Sequence, residues 1–93
     1  MLKVNEYFKG AVKSIAFSNA AGAATVGVIS PGEYEFSTST LEVMTIVTGK
    51  LSVKLPGRSE WTNYNPGSSF CIPSGEKFRV LAESDTAYLC QYK

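Results

Sequence analysis

The chemistry open to this chain is bounded first by a residue type it lacks. Its 93 residues include no histidine, the side chain that most often does general acid–base work near neutral pH and most often binds transition metals. No Ser-His-Asp triad, Cys-His pair or histidine-built metal site can exist here. The two cysteines, Cys71 and Cys90, lack metal-ligand spacing and are too few for a disulfide framework, so both read as small buried hydrophobes. The eight acids are dispersed along the chain, which argues against a carboxylate metal site. What remains is chemistry by positioning, using carboxylates, Ser and Thr hydroxyls, aromatic faces and a few scattered cations.

Composition narrows the partners. Nine Lys and Arg are offset by eight acids, leaving a net charge of +1, so the cationic footprint that neutralises a phosphate backbone is missing and no nucleic acid is expected as partner. No apolar stretch approaches the roughly 18 residues of a membrane span, and the start, MLKVNEYFKG, has no signal-peptide core. The expectation is a cytoplasmic protein with no membrane partner. With 44% hydrophobic residues in so short a chain, one small domain over residues 1–93 is expected, and oligomerisation would help it.

The elements that must position any site are strands. Apolar residues do not recur with helical period, whereas short alternating segments run throughout, such as Leu51, Val53 and Leu55 between Ser52 and Lys54. Turn signals fall about every eight to twelve residues, among them Pro31-Gly32, Asn65-Pro66-Gly67 and Pro73-Ser74-Gly75. The pattern predicts strands near 11–17, 24–30, 33–38, 43–48, 50–55, 60–64, 69–72, 77–82 and 86–92. Ser18 to Ala23 reads as a small-residue loop, the most mobile-looking segment. Eight or nine short antiparallel strands suggest an all-β jelly roll with a pocket at one end. Residues 1–8 carry Leu2, Val4, Tyr7 and Phe8 with little local partner; such an arm could complete a neighbour's sheet in a dimer.

Two spacings resemble the cupin motifs. Gly67, Pro73 and Gly75 match the second motif, whose histidine slot is filled by Phe78, and Glu42 and Gly49 match the glutamate and glycine of the first. Where that motif places its histidines, Phe36 and Thr38 stand on alternate positions. The sequence thus resembles a small cupin-type barrel whose metal cage has been replaced by Thr and Phe. Aromatic walls and hydroxyls suit a neutral, ring-bearing, polyhydroxylated ligand.

A narrower resemblance covers nearly the whole chain. Asn5-Glu6-Tyr7-Phe8, Val12-Lys13-Ser14-Ile15 with Phe17, Val26-Gly27-Val28, Gly32-Glu33-Tyr34 with Phe36-Ser37-Thr38, Met44-Thr45 before Gly49, and Tyr88-Leu89-Cys90 with Tyr92 resemble the pyrimidine/purine nucleoside phosphorylase family. The resemblance implies a homodimer that splits pyrimidine and purine nucleosides with phosphate into free base and ribose 1-phosphate, with no metal and no cofactor beyond phosphate as co-substrate. Phosphorolysis needs no enzyme nucleophile, because phosphate attacks the anomeric carbon, so a chain without histidine can run it. The site must hold an anion, orient ribose hydroxyls and stabilise charge on the leaving base.

Set on these strands, Glu42 is the candidate catalytic carboxylate, an acceptor for ribose hydroxyls. Thr38 and Thr45 could present hydroxyls inward, and Phe36, Phe70, Phe78 and Tyr88 could stack on a base of either size. Lys13 and Ser14 are the candidate phosphate cradle. Arg79 should point away from the interior, opposite Phe78, while Trp61 should fill the core and Glu33 belong to a turn. A module that binds a nucleoside or sugar without turnover is the alternative, since the sequence names no acid for the departing base.

Overall fold

Alternation of inward apolar and outward polar residues becomes ten strands in the computed structural model, which describes residues 2–93. They are β1 (Lys3–Tyr7), β2 (Val12–Asn19), β3 (Gly22–Ile29), β4 (Gly32–Ser37), β5 (Glu42–Thr48), β6 (Leu51–Lys54), β7 (Thr62–Tyr64), β8 (Ser69–Ile72), β9 (Lys77–Ala82) and β10 (Thr86–Tyr92). Every pairing is antiparallel, in a six-stranded sheet ordered β1-β2-β3-β10-β5-β8 and a four-stranded sheet ordered β4-β9-β6-β7. The fold is the expected all-β barrel of the cupin type. Among the described residues no helix is long and apolar enough to cross a membrane.

The inner faces of the sheets meet in one core, where Val12, Ile29, Ile46, Leu51, Val53, Ile72 and Val80 have essentially no exposure. Each such side chain contributes roughly 1.5–3 kcal/mol by leaving water. Gly67 and Gly75, which stand either side of β8, have φ of +87° and +77°. Their spacing therefore records two turns that only glycine makes without strain.

Three expectations need correction. The 1–8 arm is not unpartnered, because β1 pairs in register with β2 of the same chain, Val4 opposite Ile15 and Glu6 opposite Lys13. It reads as lone because Leu2 and Val4 are open to solvent. The 18–23 segment is not a loose loop but a tight hairpin: Asn19 pairs with Gly22, and the Asn19 side chain accepts the Ala21 N–H at 2.9 Å. Trp61 lies at the surface, with the Lys54 ammonium 4.9 Å from its ring centre.

Candidate active site

Alternation decides which side chains share the barrel interior. On β5 the inward set includes Glu42 and Met44; on β10 it includes Tyr88, Cys90 and Tyr92, and on β2 it includes Ser14. From the other sheet β4 brings Phe36 and β9 brings Phe78. These side chains, with Ile29, line a cavity of about 260 Å³ whose wall also includes Tyr7, Phe8, Glu35 and Ser37. The volume sits just under the roughly 300–1,000 Å³ usual for small-molecule sites. A flat ring with a sugar at the mouth is the size of ligand it admits.

Glu42 is the half-buried carboxyl of this cavity. The Cys90 thiol on the neighbouring strand donates to its Oε1 at 3.4 Å. Burial pushes the Glu42 pKa above the usual carboxylate value, and the thiol hydrogen bond opposes that shift. Cys90 itself is pushed up to about 12, chiefly by burial and then by the charge of Glu42, so it remains a neutral donor. Tyr92, which faces Glu42 in the ladder, exchanges a 3.1 Å hydrogen bond with Thr25 and is likewise raised by burial.

The cavity floor is a row across three strands. Ser14 on β2 stands opposite Gly27 on β3, which stands opposite Tyr88 on β10. Burial raises the Tyr88 hydroxyl to about 12, against the opposing pull of a hydrogen bond with Ser14. The phenol therefore stays protonated and can donate.

At the mouth, Phe8 and Lys9 take the left-handed conformation in succession, with φ of 54° and 58°. For residues other than glycine that costs on the order of 1–3 kcal/mol each, a strain found where function fixes the backbone. The conformation brings the Phe8 ring to 4.9 Å from Tyr34 and 5.6 Å, edge-on, from Phe36. The aromatic line continues from Phe36 to Phe78 at 5.8 Å and from Phe78 to Phe70 at 6.3 Å.

Of the residues expected from sequence, Glu42, Ser14, Phe36, Phe78 and Tyr88 share the cavity wall. Four do not. Lys13 follows an inward Val12, so alternation sends it to the outer face, where it is exposed and lies 3.5 Å from Glu6. Thr45 follows an inward Met44 and pairs outside with the Ser69 hydroxyl at 2.8 Å. Thr38 points inward but is consumed by the 73–76 turn, donating to the Pro73 carbonyl at 2.6 Å and accepting the Glu76 N–H at 3.1 Å. Phe70 is buried behind Phe78, against Tyr64 at 4.6 Å.

Arg79 is on the outside, as expected, and Glu33 there belongs to β4 rather than a turn, 3.0 Å from the Arg79 guanidinium. Cys71 is exposed, in place of the buried position expected of it, because it alternates with Phe70 and Ile72 on β8. Cys90, Tyr92 and Met44 are cavity residues that the sequence does not single out, while Tyr7 and Phe8, expected to pack a dimer or close a partner's pocket, line the cavity of their own chain. The signal for the first three was available, since Glu42-x-Met44 and Tyr88-x-Cys90-x-Tyr92 keep one inward period.

Two chemical features stand out. No Lys or Arg is among the residues lining the cavity, whose formal charges are Glu42 and Glu35. Among the described residues, no three His, Cys, Asp or Glu converge where they could hold a metal ion.

Comparison with known proteins places the chain. A family model described as pyrimidine/purine nucleoside phosphorylase matches residues 2–92. A Pseudomonas aeruginosa protein of that name is 58% identical over the full length of both chains. One of the same name from Pseudomonas putida is 55% identical over all of this chain and 99% of its own. Among solved structures, a protein of unknown function from Vibrio parahaemolyticus superposes with a TM-score of 0.96 at 43% identity, covering 100% of this chain and 99% of that one. An RmlC-like cupin from Shewanella frigidimarina superposes at 0.75 with 18% identity, over 97% of this chain and 81% of its own, a likeness of fold.

Proposed function

The chain belongs to the pyrimidine/purine nucleoside phosphorylase family, and from that premise we propose that it cleaves both pyrimidine and purine ribonucleosides with inorganic phosphate, without metal or other cofactor. The observation that carries this reading is a carboxyl with raised pKa, Glu42, set in an aromatic-walled cavity. It supplies what the sequence left unnamed, an acid for the departing base.

The base stacks on the aromatic wall made by Phe36 and Phe78, a contact that tolerates rings of either size. Ribose sits toward the mouth, and phosphate takes a hydrogen bond from the Ser14 hydroxyl. A phosphate oxygen bonds to the anomeric carbon as the glycosidic bond breaks, and that bond's electron pair leaves with the base nitrogen. Glu42 gives the base its proton and is reprotonated, through solvent, by the proton that hydrogen phosphate gives up as it becomes the ester. Bound phosphate is a like charge, so it raises the Glu42 pKa further and keeps the acid loaded at the moment of reaction. Release of base from uridine and inosine, compared with and without phosphate, tests the reading.

One observation favours the rival, a cytoplasmic module that binds a nucleoside or sugar without turnover: the cavity wall offers a dianion no cation. For the homodimer, the supporting feature is the outer face of the six-stranded sheet. Ile15 and Val26 are partners in register there, with Val28 two residues along β3, and the three are 43%, 45% and 48% exposed, an unusual concentration of branched apolar residues on a solvent face.

A further inference from the structure

Seven of the eight glycines in this chain have a positive φ; Gly27 is the exception. It lies in the middle of β3, with a strand on either side. Its backbone could carry any side chain. Glycine there forgoes packing and adds to the entropy lost on folding, so something else must need the space. That something is Tyr88. A Cβ on Gly27 would stand 2.6 Å from both Cζ and Oη of the Tyr88 ring and 2.8 Å from Cε1, closer than any real contact.

Tyr88 is the direct partner of Gly27 across the ladder and is buried, with its ring over the glycine. Beneath it is sheet backbone; above it is the cavity. Any side chain at position 27 therefore lifts the ring in one direction, into a space of only about 260 Å³. The Tyr88 hydroxyl would also leave its place beside Ser14.

We propose that Gly27 is a specificity-determining position: by leaving room for the Tyr88 ring in the floor, it gives the cavity the depth that a two-ring base requires. This rests on the reading of the cavity as a nucleoside site. A one-ring base needs less depth and is less sensitive to a raised floor. Broad acceptance of bases thus depends on one absent side chain as well as on the tolerance of stacking.

The test compares kcat/KM for inosine and uridine in wild type, Gly27→Ala, Tyr88→Leu and the double variant. The Gly27→Ala protein should lose inosine activity at least roughly tenfold more than uridine activity, the scale that one methylene sets in a tight pocket, with the difference in KM. In the Tyr88→Leu background, with no ring to lift, adding Gly27→Ala should leave the inosine-to-uridine ratio unchanged. Equal losses for both substrates, or the same ratio change without the ring, overturn the proposal, and the second comparison stands if the single variant misfolds. If wild type binds nucleosides without cleaving them, the phosphorolysis reading falls and the same ratio is taken from dissociation constants of inosine and uridine. If wild type binds neither, the proposal falls too.

Discussion

The Cys90 thiol and the Glu42 carboxyl face each other from adjacent strands, Sγ to Oε1 at 3.4 Å, inside the cavity. The pair ties the one half-buried acid of the site to a neutral donor, and its proton balance is set by opposed effects. Burial raises the Glu42 pKa and the thiol hydrogen bond lowers it.

This gives Glu42 a measurable signature. Because its folded-state pKa lies above the unfolded value of 4.5, its contribution to stability is fully present below that value and is lost as pH rises through the folded pKa. Glu42→Gln should therefore match wild type in melting temperature near pH 4 and exceed it at pH 7, while lowering kcat by roughly 10²–10⁴. A melting-temperature difference that stays constant with pH would contradict the assignment. Cys90→Ala removes the opposing hydrogen bond, so the pH at which kcat declines should move upward.

Thr38 is the counter-case, a residue whose type suits a ligand but whose hydroxyl is spent on the fold. Thr38→Val strands the Glu76 N–H and removes the bond to Pro73, a loss of about 1–3 kcal/mol. Each kcal/mol lowers the melting temperature by roughly 4–8 °C in a domain of this size. Nucleoside kinetics should be unchanged. A raised KM with unchanged melting would return Thr38 to the site.

Most of the barrel was legible because a strand's period of two and the chemistry of its turns are both local. Nine of the ten strands fall where alternation and turn residues put them, and the tenth, β1, reads as an arm because its Val4 is exposed and gives no sign of a core. The same period settles two doubtful residues: Val12 and Met44 point inward, so Lys13 and Thr45 cannot. It is silent on Thr38 and Phe70, both inward. Whether an inward residue meets the cavity or the packed end depends on how the sheets close. Gly27 is invisible for another reason, since its effect is the place it leaves for Tyr88.

The outer face of the six-stranded sheet should be where two copies meet. Val26→Asp, at the centre of that face between Ile15 and Leu89, is expected to convert a dimer to a monomer in light scattering after size exclusion. A monomeric wild type, or a dimer that survives the substitution, would contradict this.

The central claim is that Glu42 and the aromatic cavity serve phosphorolysis rather than binding or hydrolysis. The most direct measurement is ribose 1-phosphate formed from uridine and inosine, followed by phosphorus NMR in phosphate-containing and phosphate-free buffer, both with EDTA. The expected result is ribose 1-phosphate and free base in equal amounts, with no base released when phosphate is omitted. Base released equally without phosphate, or no product in either buffer, would contradict it.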